Sequence, residues 1–230
     1  RLCFCPLNWH DSGMTSLSLS TLALSRGTVA PFRGEDGSAF AKRPVAGPVR
    51  ITRLGLFGDE QADRVHHGGP DKAVHLYPHE HYSWWQEHLG GHALLEMPGA
   101  FGENVTSLGA VETEMCLGDR FALGGAVLEI SQGRQPCWKI DHRFERKGMT
   151  AAIIGNGRCG VYLRVLEEGE AQAGDEMRLI DRPLPQWSVA RLFHLLVGGG
   201  AKGDPEGVGE LAQLEVLGEA WRTRAMQMAL

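Results

Sequence analysis

Between residues 17 and 181, short β-prone runs alternate with turn-forming residues, and this punctuation limits the fold more than any other feature of the chain. The runs cover 17–24, 45–54, 73–77, 120–123, 126–131, 161–167 and 176–180, with glycine, proline and aspartate between them. A parallel sheet needs crossover connections between its strands, whereas most of these gaps carry turn signals. The pattern predicts a β-barrel or another compact, mostly β domain rather than alternating βαβ units. Gly124-Gly125 reads as a two-residue hairpin connection between two of the runs.

Helices are expected at fewer places. Pro78 stands where a first helical residue would, Glu80 adds charge to the first turn, and Gly90 is a natural stop. Tyr82, Trp85 and Leu89 then share one face. A shorter helix is expected over 149–154, before Gly155-Asn156-Gly157. Pro183-Leu184-Pro185 closes the β-rich part. After it Val189, Leu192, Phe193 and Leu196 trace an amphipathic helix, and two more helices are expected over 211–217 and 219–228. The expected fold is mostly β with α: a β-barrel domain over 14–182, followed by a small C-terminal helical extension over 183–230. Residues 1–13 fit neither pattern and are read as upstream sequence, with Met14 opening the part that does.

A net charge of −5 offers no global basic field for nucleic acid. Arg222 and Arg224 in the last expected helix also suit a helix-turn-helix, but two arginines on a solvated helix face are commonplace. The apolar runs stop well short of the roughly 20 residues that span a bilayer, so no membrane partner is expected. The five cysteines are odd in number and form no CxxC, and Cys3 and Cys5 are too close to staple anything. This argues against a disulfide framework and for a reducing cytoplasm.

One cysteine stands out chemically. In Ser131-Gln132-Gly133-Arg134-Gln135-Pro136-Cys137 a thiol follows a strand in a turn-forming loop, with Arg134 and Lys139 on either side. Nearby positive charge favours thiolate, the form that ligates soft metals or attacks electrophiles. An inert loop cysteine would look the same on this segment alone. Seven of the ten histidines fall between His66 and His92, which raises zinc, but neither an HExxH nor a cysteine-containing zinc spacing is present. Gly68 and Gly69 can expose backbone N–H groups to an anion, with His67 and Lys72 adding donors and charge. Asn104, in Phe101-Gly102-Glu103-Asn104-Val105, offers a donor and an acceptor to a heterocycle. Three such loops and one activated thiol describe a preformed pocket for a polar cofactor.

Taken in order, GLFGDEQAD (55–63), HHGGPDKAVHLY (66–77), GEN (102–104) and SQGRQPC (131–137) resemble the motifs of the MOSC family, whose domains are similar to the C-terminal part of molybdenum-cofactor sulfurases. The tract SAFAKRPVAGPVRITRLGL (38–56) and the helical tail also resemble a bacterial branch of that family that detoxifies base analogues. The resemblance runs from about 25 to 181. It implies a MOSC-type β-barrel holding molybdenum cofactor (molybdopterin), with Cys137 as the thiolate ligand to the metal. It also implies that Arg134 meets pterin or phosphate oxygens and that His67, Gly68, Gly69, Lys72 and Asn104 line the same pocket. Ser131 and Gln132 belong to the cofactor-binding set or support its loop.

The implied reaction is reduction of N-hydroxylated substrates, such as hydroxylaminopurine bases, amidoximes or hydroxamates. Asp59 and His67 are candidate catalytic acids beside Cys137. The chain carries no GxGxxG after a strand, so an external flavoprotein reductase would supply electrons. A homodimer is a further expectation, with the tail as a dimer contact, a cover for the pocket or a docking face for the donor. One alternative is a molybdenum-cofactor or sulfur carrier that uses Cys137 as a thiolate or persulfide site. Another is a hydrolase with Cys137 as nucleophile and His142 as base.

Overall fold

Val161, Leu163 and Val165 are buried along the strand Val161–Glu167, while Tyr162, Arg164 and Leu166 between them are half-buried. The same period of two runs through the other long strands, and it closes a sheet around one apolar core. The computed structural model describes residues 17–33, 36–62 and 68–230; the expected upstream segment 1–13 and His67 lie outside the described residues. In chain order the strands are β1 (Ser18–Arg26), β2 (Ala30–Arg33), β3 (Asp36–Ser38), β4 (Arg43–Pro44), β5 (Val49–Thr52), β6 (Gly55–Leu56), β7 (Val74–Pro78) and β8 (Val105–Leu108). They continue as β9 (Arg120–Leu123), β10 (Ala126–Gly133), β11 (Val161–Glu167), β12 (Gly169–Ala171) and β13 (Glu176–Asp181). The helices are α1 (Glu80–Leu89), α2 (Trp138–Arg143), α3 (Met149–Asn156), α4 (Val189–Leu196), α5 (Pro205–Leu211) and α6 (Glu219–Met228).

Seven strands form the barrel, in the order β13-β9-β10-β11-β7-β8-β1, and β1 pairs back onto β13 to close it. The neighbours are antiparallel except β7 and β8, which run parallel. Gly124-Gly125 makes the expected hairpin, with Leu123 opposite Ala126. The tail continues the same core: Trp187, Leu192, Phe193, Leu196, Leu211 and Trp221 pack with the barrel residues in one cluster. The Trp187 carbonyl accepts from Leu117 N–H at 2.8 Å, which ties the linker to the barrel.

Several boundaries differ from the sequence reading, each for a local reason. Pro78 ends β7 rather than opening α1, whose N-cap is His79. β10 runs on to Gly133, so Ser131 and Gln132 are strand residues and the connecting loop begins only at Arg134. The run 45–54 yields only β5, with Pro48 before it. The helix expected over 211–217 forms at Pro205–Leu211 instead, because Asp204 accepts from Gly207 N–H at 2.8 Å and Pro205 occupies the first helical turn. The short helix α2, directly after Cys137, has no side-chain cap and gave no sequence signal.

Candidate functional site

The barrel register lays a row of polar side chains across four strands. Gln132 on β10 stands opposite Tyr162 on β11, Tyr162 opposite His75 on β7, and the backbone of Asn104, just before β8, donates to the His75 carbonyl at 2.7 Å. Tyr162 and His75 each alternate with core residues, Val161 and Leu163 or Val74 and Leu76. The row therefore lies on the side of the sheet turned away from the core. The loop after β10 folds over this row and brings Arg134 and Cys137 to one cleft with Lys72, His75 and Tyr162. Lys42, Asp59 and Asn104 line it as well, with the Phe40 ring.

Two kinds of polar group line the cleft. On one wall every group is spoken for. Asp59 accepts from Gly27 N–H at 2.8 Å, from Asn104 Nδ2 at 2.8 Å and from the Lys42 ammonium. Asn104 Oδ1 accepts from His75 N–H at 3.1 Å, and its Nδ2 also reaches the Ser25 carbonyl at 3.2 Å. Burial pushes the Lys42 ammonium down, while the Asp59 carboxylate pulls it back up. The neighbouring Glu103 is 0% exposed and accepts from Gly99 N–H, Phe101 N–H, Tyr82 Oη and Thr106 Oγ1. Gly102 sits at φ 75° with the Phe40 ring 3.2 Å from where a Cβ would lie, so only glycine fits that turn.

The other wall is built differently. Arg134 is 5% exposed, its guanidinium lies 5.6 Å from the Phe40 ring centroid, and it lines the same cleft as Tyr162. No carboxylate pairs with it among the described residues. A buried guanidinium without an anion is costly, so this wall is set up to receive one. Burial raises the Tyr162 phenol, with Arg134 opposing, so it holds its proton at neutral pH. Burial and the nearby Arg134 push the His75 imidazole well below its ordinary value, which keeps the ring neutral. Cys137 is half-buried, and its carbonyl accepts from Ile140 N–H at 3.0 Å and Thr150 Oγ1 at 3.2 Å. Thr150 is itself held by Asp141, so α2 and α3 fix the position of the thiol.

The sequence that builds this cleft matches a known family. The MOSC domain model matches residues 63–178, half of the chain. The chain belongs to the MOSC domain family. Relatives of this MOSC domain include the uncharacterized protein YflK of Bacillus subtilis, 45% identical over 141 residues, which are 61% of this chain and 62% of YflK. The protein YiiM of Escherichia coli is 38% identical over 145 residues, 63% of this chain and 65% of YiiM. A Gibberella moniliformis protein named a reductase is 39% identical over 164 residues, 71% of this chain but 29% of its own length. The chain thus spans less than two thirds of the length of each of these relatives. The crystal structure of YiiM from Geobacillus stearothermophilus superposes with a TM-score of 0.78 at 29% identity, covering 92% of this chain and all of that one.

The expected site residues sort themselves by geometry. Arg134, Cys137, Lys72, Asn104 and Asp59 all line the cleft of the MOSC domain. Asp59, read as a candidate acid, has both oxygens committed to fixed donors and serves as an anchor between β1, Lys42 and Asn104. Asn104 likewise spends its amide on protein groups. Gly68 and Gly69 lead into a 3-10 turn at Pro70–Lys72 that carries Lys72, and Gly69 sits at φ 92°. Ser131 Oγ lies 2.5 Å from the Asp71 carbonyl and 3.0 Å from the Tyr162 carbonyl, so it supports the strand rather than facing a ligand. Gln132 faces a second hollow beyond Cys137. His142, the candidate base, makes a 2.6 Å hydrogen bond to the Phe32 carbonyl.

Sequence reasoning missed Lys42, His75 and Tyr162. Two of them lie within tracts already marked, and the signal for Tyr162 is an aromatic at an outward position of a strand whose other face is all Val and Leu. The histidine-rich stretch disperses: His81 pairs with Glu112 at 2.7 Å, His92 with the Phe144 carbonyl, and His88 stacks on Trp84. No group of three or more metal-ligating side chains forms among the described residues. Nor, among them, is any helix long and apolar enough to cross a membrane.

Proposed function

We propose that this MOSC domain binds molybdenum cofactor in the Arg134–Cys137 cleft and reduces N-hydroxylated compounds, hydroxylaminopurine bases and amidoximes among them. The observation that carries the reading is the buried Arg134 guanidinium, without a carboxylate partner among the described residues, beside a half-buried thiol in one cleft. The donor set suits the group. Arg134 presents a planar fork to phosphate or pterin oxygens, Lys72 and Lys139 add charge, and the Cys137 thiolate is a soft ligand for the metal. When bound, the cofactor supplies a two-electron centre for cleaving an N–O bond.

The overall change is R–NHOH + 2 H⁺ + 2 e⁻ → R–NH₂ + H₂O, and the chain's part is to orient substrate and deliver protons. Tyr162 lines the cleft beside Cys137 and keeps its proton at neutral pH, which makes it the acid for the leaving group in place of Asp59. Neutral His75 and the Asp59–Lys42–Asn104 lock hold the row in register. A separate flavoprotein in the cytoplasm provides the electrons.

The test is turnover of 6-hydroxylaminopurine and benzamidoxime by protein purified anaerobically from a host that makes the cofactor, with a flavoprotein donor. Substrate-dependent reoxidation of reduced protein is the expected result. A cyanide-labile sulfur on Cys137 without any N-reduction would make the protein a sulfur or cofactor carrier instead.

A further inference from the structure

Beyond Cys137 lies a second hollow, with a cavity volume of about 440 Å³, and the C-terminal helix α6 is its outer wall. It shares Lys72, Cys137 and Tyr162 with the cofactor cleft and adds Gln132, Arg224 and Gln227. The helix is fixed in place from three sides. Gly218 N–H donates to the Ser131 carbonyl at 2.9 Å, Glu219 N–H to Asp71 Oδ2 at 3.0 Å, and Trp221 is 2% exposed against the barrel. Gly218 packs closely on Gln132, since a Cβ there would come within 2.3 Å of Gln132 Oε1 and displace that amide.

The lining has a definite chemistry. Among the described residues it holds two cations, three glutamine amides, two hydroxyls and no carboxylate. Arg224 is half-buried, and its guanidinium makes no ion pair or hydrogen bond among the described residues. Gln132 Oε1 is buried without a partner. The volume falls within the range of small-molecule sites. A cation in the same hollow as the Trp221 indole, with no carboxylate among the described lining residues, selects an anionic ligand.

We propose that this hollow is the substrate subsite of the domain, and that Arg224 binds an anionic group, phosphate or carboxylate, carried by the N-hydroxylated substrate. The helical tail is then part of the binding machinery, placing the substrate on the far side of Cys137 from Arg134. The substrate half of this inference rests on the reductase reading. The anion site does not.

The test uses unreactive probes on the full-length, cofactor-loaded protein. Calorimetry compares adenosine 5′-monophosphate with adenosine, and 4-amidinobenzoate with benzamidine, in wild type, Arg224→Ala and Arg224→Lys. In wild type the anionic member of at least one pair binds about tenfold or more tighter. That gap disappears in Arg224→Ala and returns in part in Arg224→Lys, and the pair with the larger gap tells phosphate from carboxylate. Molybdenum content stays at the wild-type level in both variants. Equal affinity within both pairs in wild type would overturn the proposal, as would a gap that survives Arg224→Ala. Loss of molybdenum from Arg224→Ala would also overturn it, by assigning the arginine to the cofactor. An intact gap in a protein that reduces no N–OH compound would sink the reductase reading and leave the anion site standing.

Discussion

The stretch 102–104 with Asp59 and the stretch 131–137 have much the same composition, rich in glycine and polar residues, yet the barrel uses them in opposite ways. Around Asn104 each donor meets an acceptor within the protein, and Asp59, Lys42 and Glu103 are closed off by fixed partners. Around Arg134 a buried cation meets no carboxylate among the described residues, and it shares its cleft with the Cys137 thiol. The first region is scaffold and the second is site. A satisfied polar network rigidifies a fold, whereas an unsatisfied one costs stability that a ligand can return.

That contrast can be broken by mutation, and the largest effect should come from the scaffold. Asp59→Ala leaves the Lys42 ammonium, Asn104 Nδ2 and Gly27 N–H without their acceptor. Urea unfolding should show a loss of about 3–5 kcal/mol, the cost of opening a buried pair. A loss below 1 kcal/mol would mean that Asp59 is not an anchor and would reopen its candidacy as an acid. On the site side, Tyr162→Phe should lower kcat for 6-hydroxylaminopurine about 100-fold, with molybdenum content and melting temperature near wild type. An unchanged kcat would move the proton donor elsewhere.

Smaller effects sharpen the same comparison. Arg134→Met should release the cofactor while leaving the apo protein as stable as wild type or up to about 1–2 kcal/mol more so, because it removes a buried charge that no carboxylate among the described residues offsets. Thermal melts of apo protein decide this, and a marked destabilisation would place Arg134 with the scaffold. The last effect concerns His75. The unfolded chain binds this proton near the ordinary value of 6.5, while the folded chain resists it. Its contribution is thus complete above 6.5 and is lost as the pH falls below that value. The loss is about 1 kcal/mol over the first pH unit, read from urea midpoints, and His75→Gln should flatten that slope.

Much of the barrel was legible, because strand period and turn residues are local. β9 and β11 fall where the runs at 120–123 and 161–167 put them, and the Gly124-Gly125 hairpin is where its residues predict. The cleft was legible only as a set of motifs. Register is a property of paired strands, so nothing in the sequence says that Gln132, Tyr162, His75 and Asn104 form one row. Nor does it say which acid is already spoken for: Asp59 reads as a free carboxylate until Lys42, 17 residues earlier, is seen against it. The tail's role stayed open for a similar reason. Helical periodicity, strong in α4 and weak in α6, does not reveal that α6 lays Arg224 on the same hollow as Cys137.

The most direct test of the account is the molybdenum content per chain of wild type and Cys137→Ser, both purified anaerobically from a cofactor-producing host. The account predicts molybdenum in wild type and almost none in Cys137→Ser, with the apo forms of both melting at the same temperature. Equal molybdenum in the two proteins would contradict it, because the thiol would then not be the ligand that the cleft is built around.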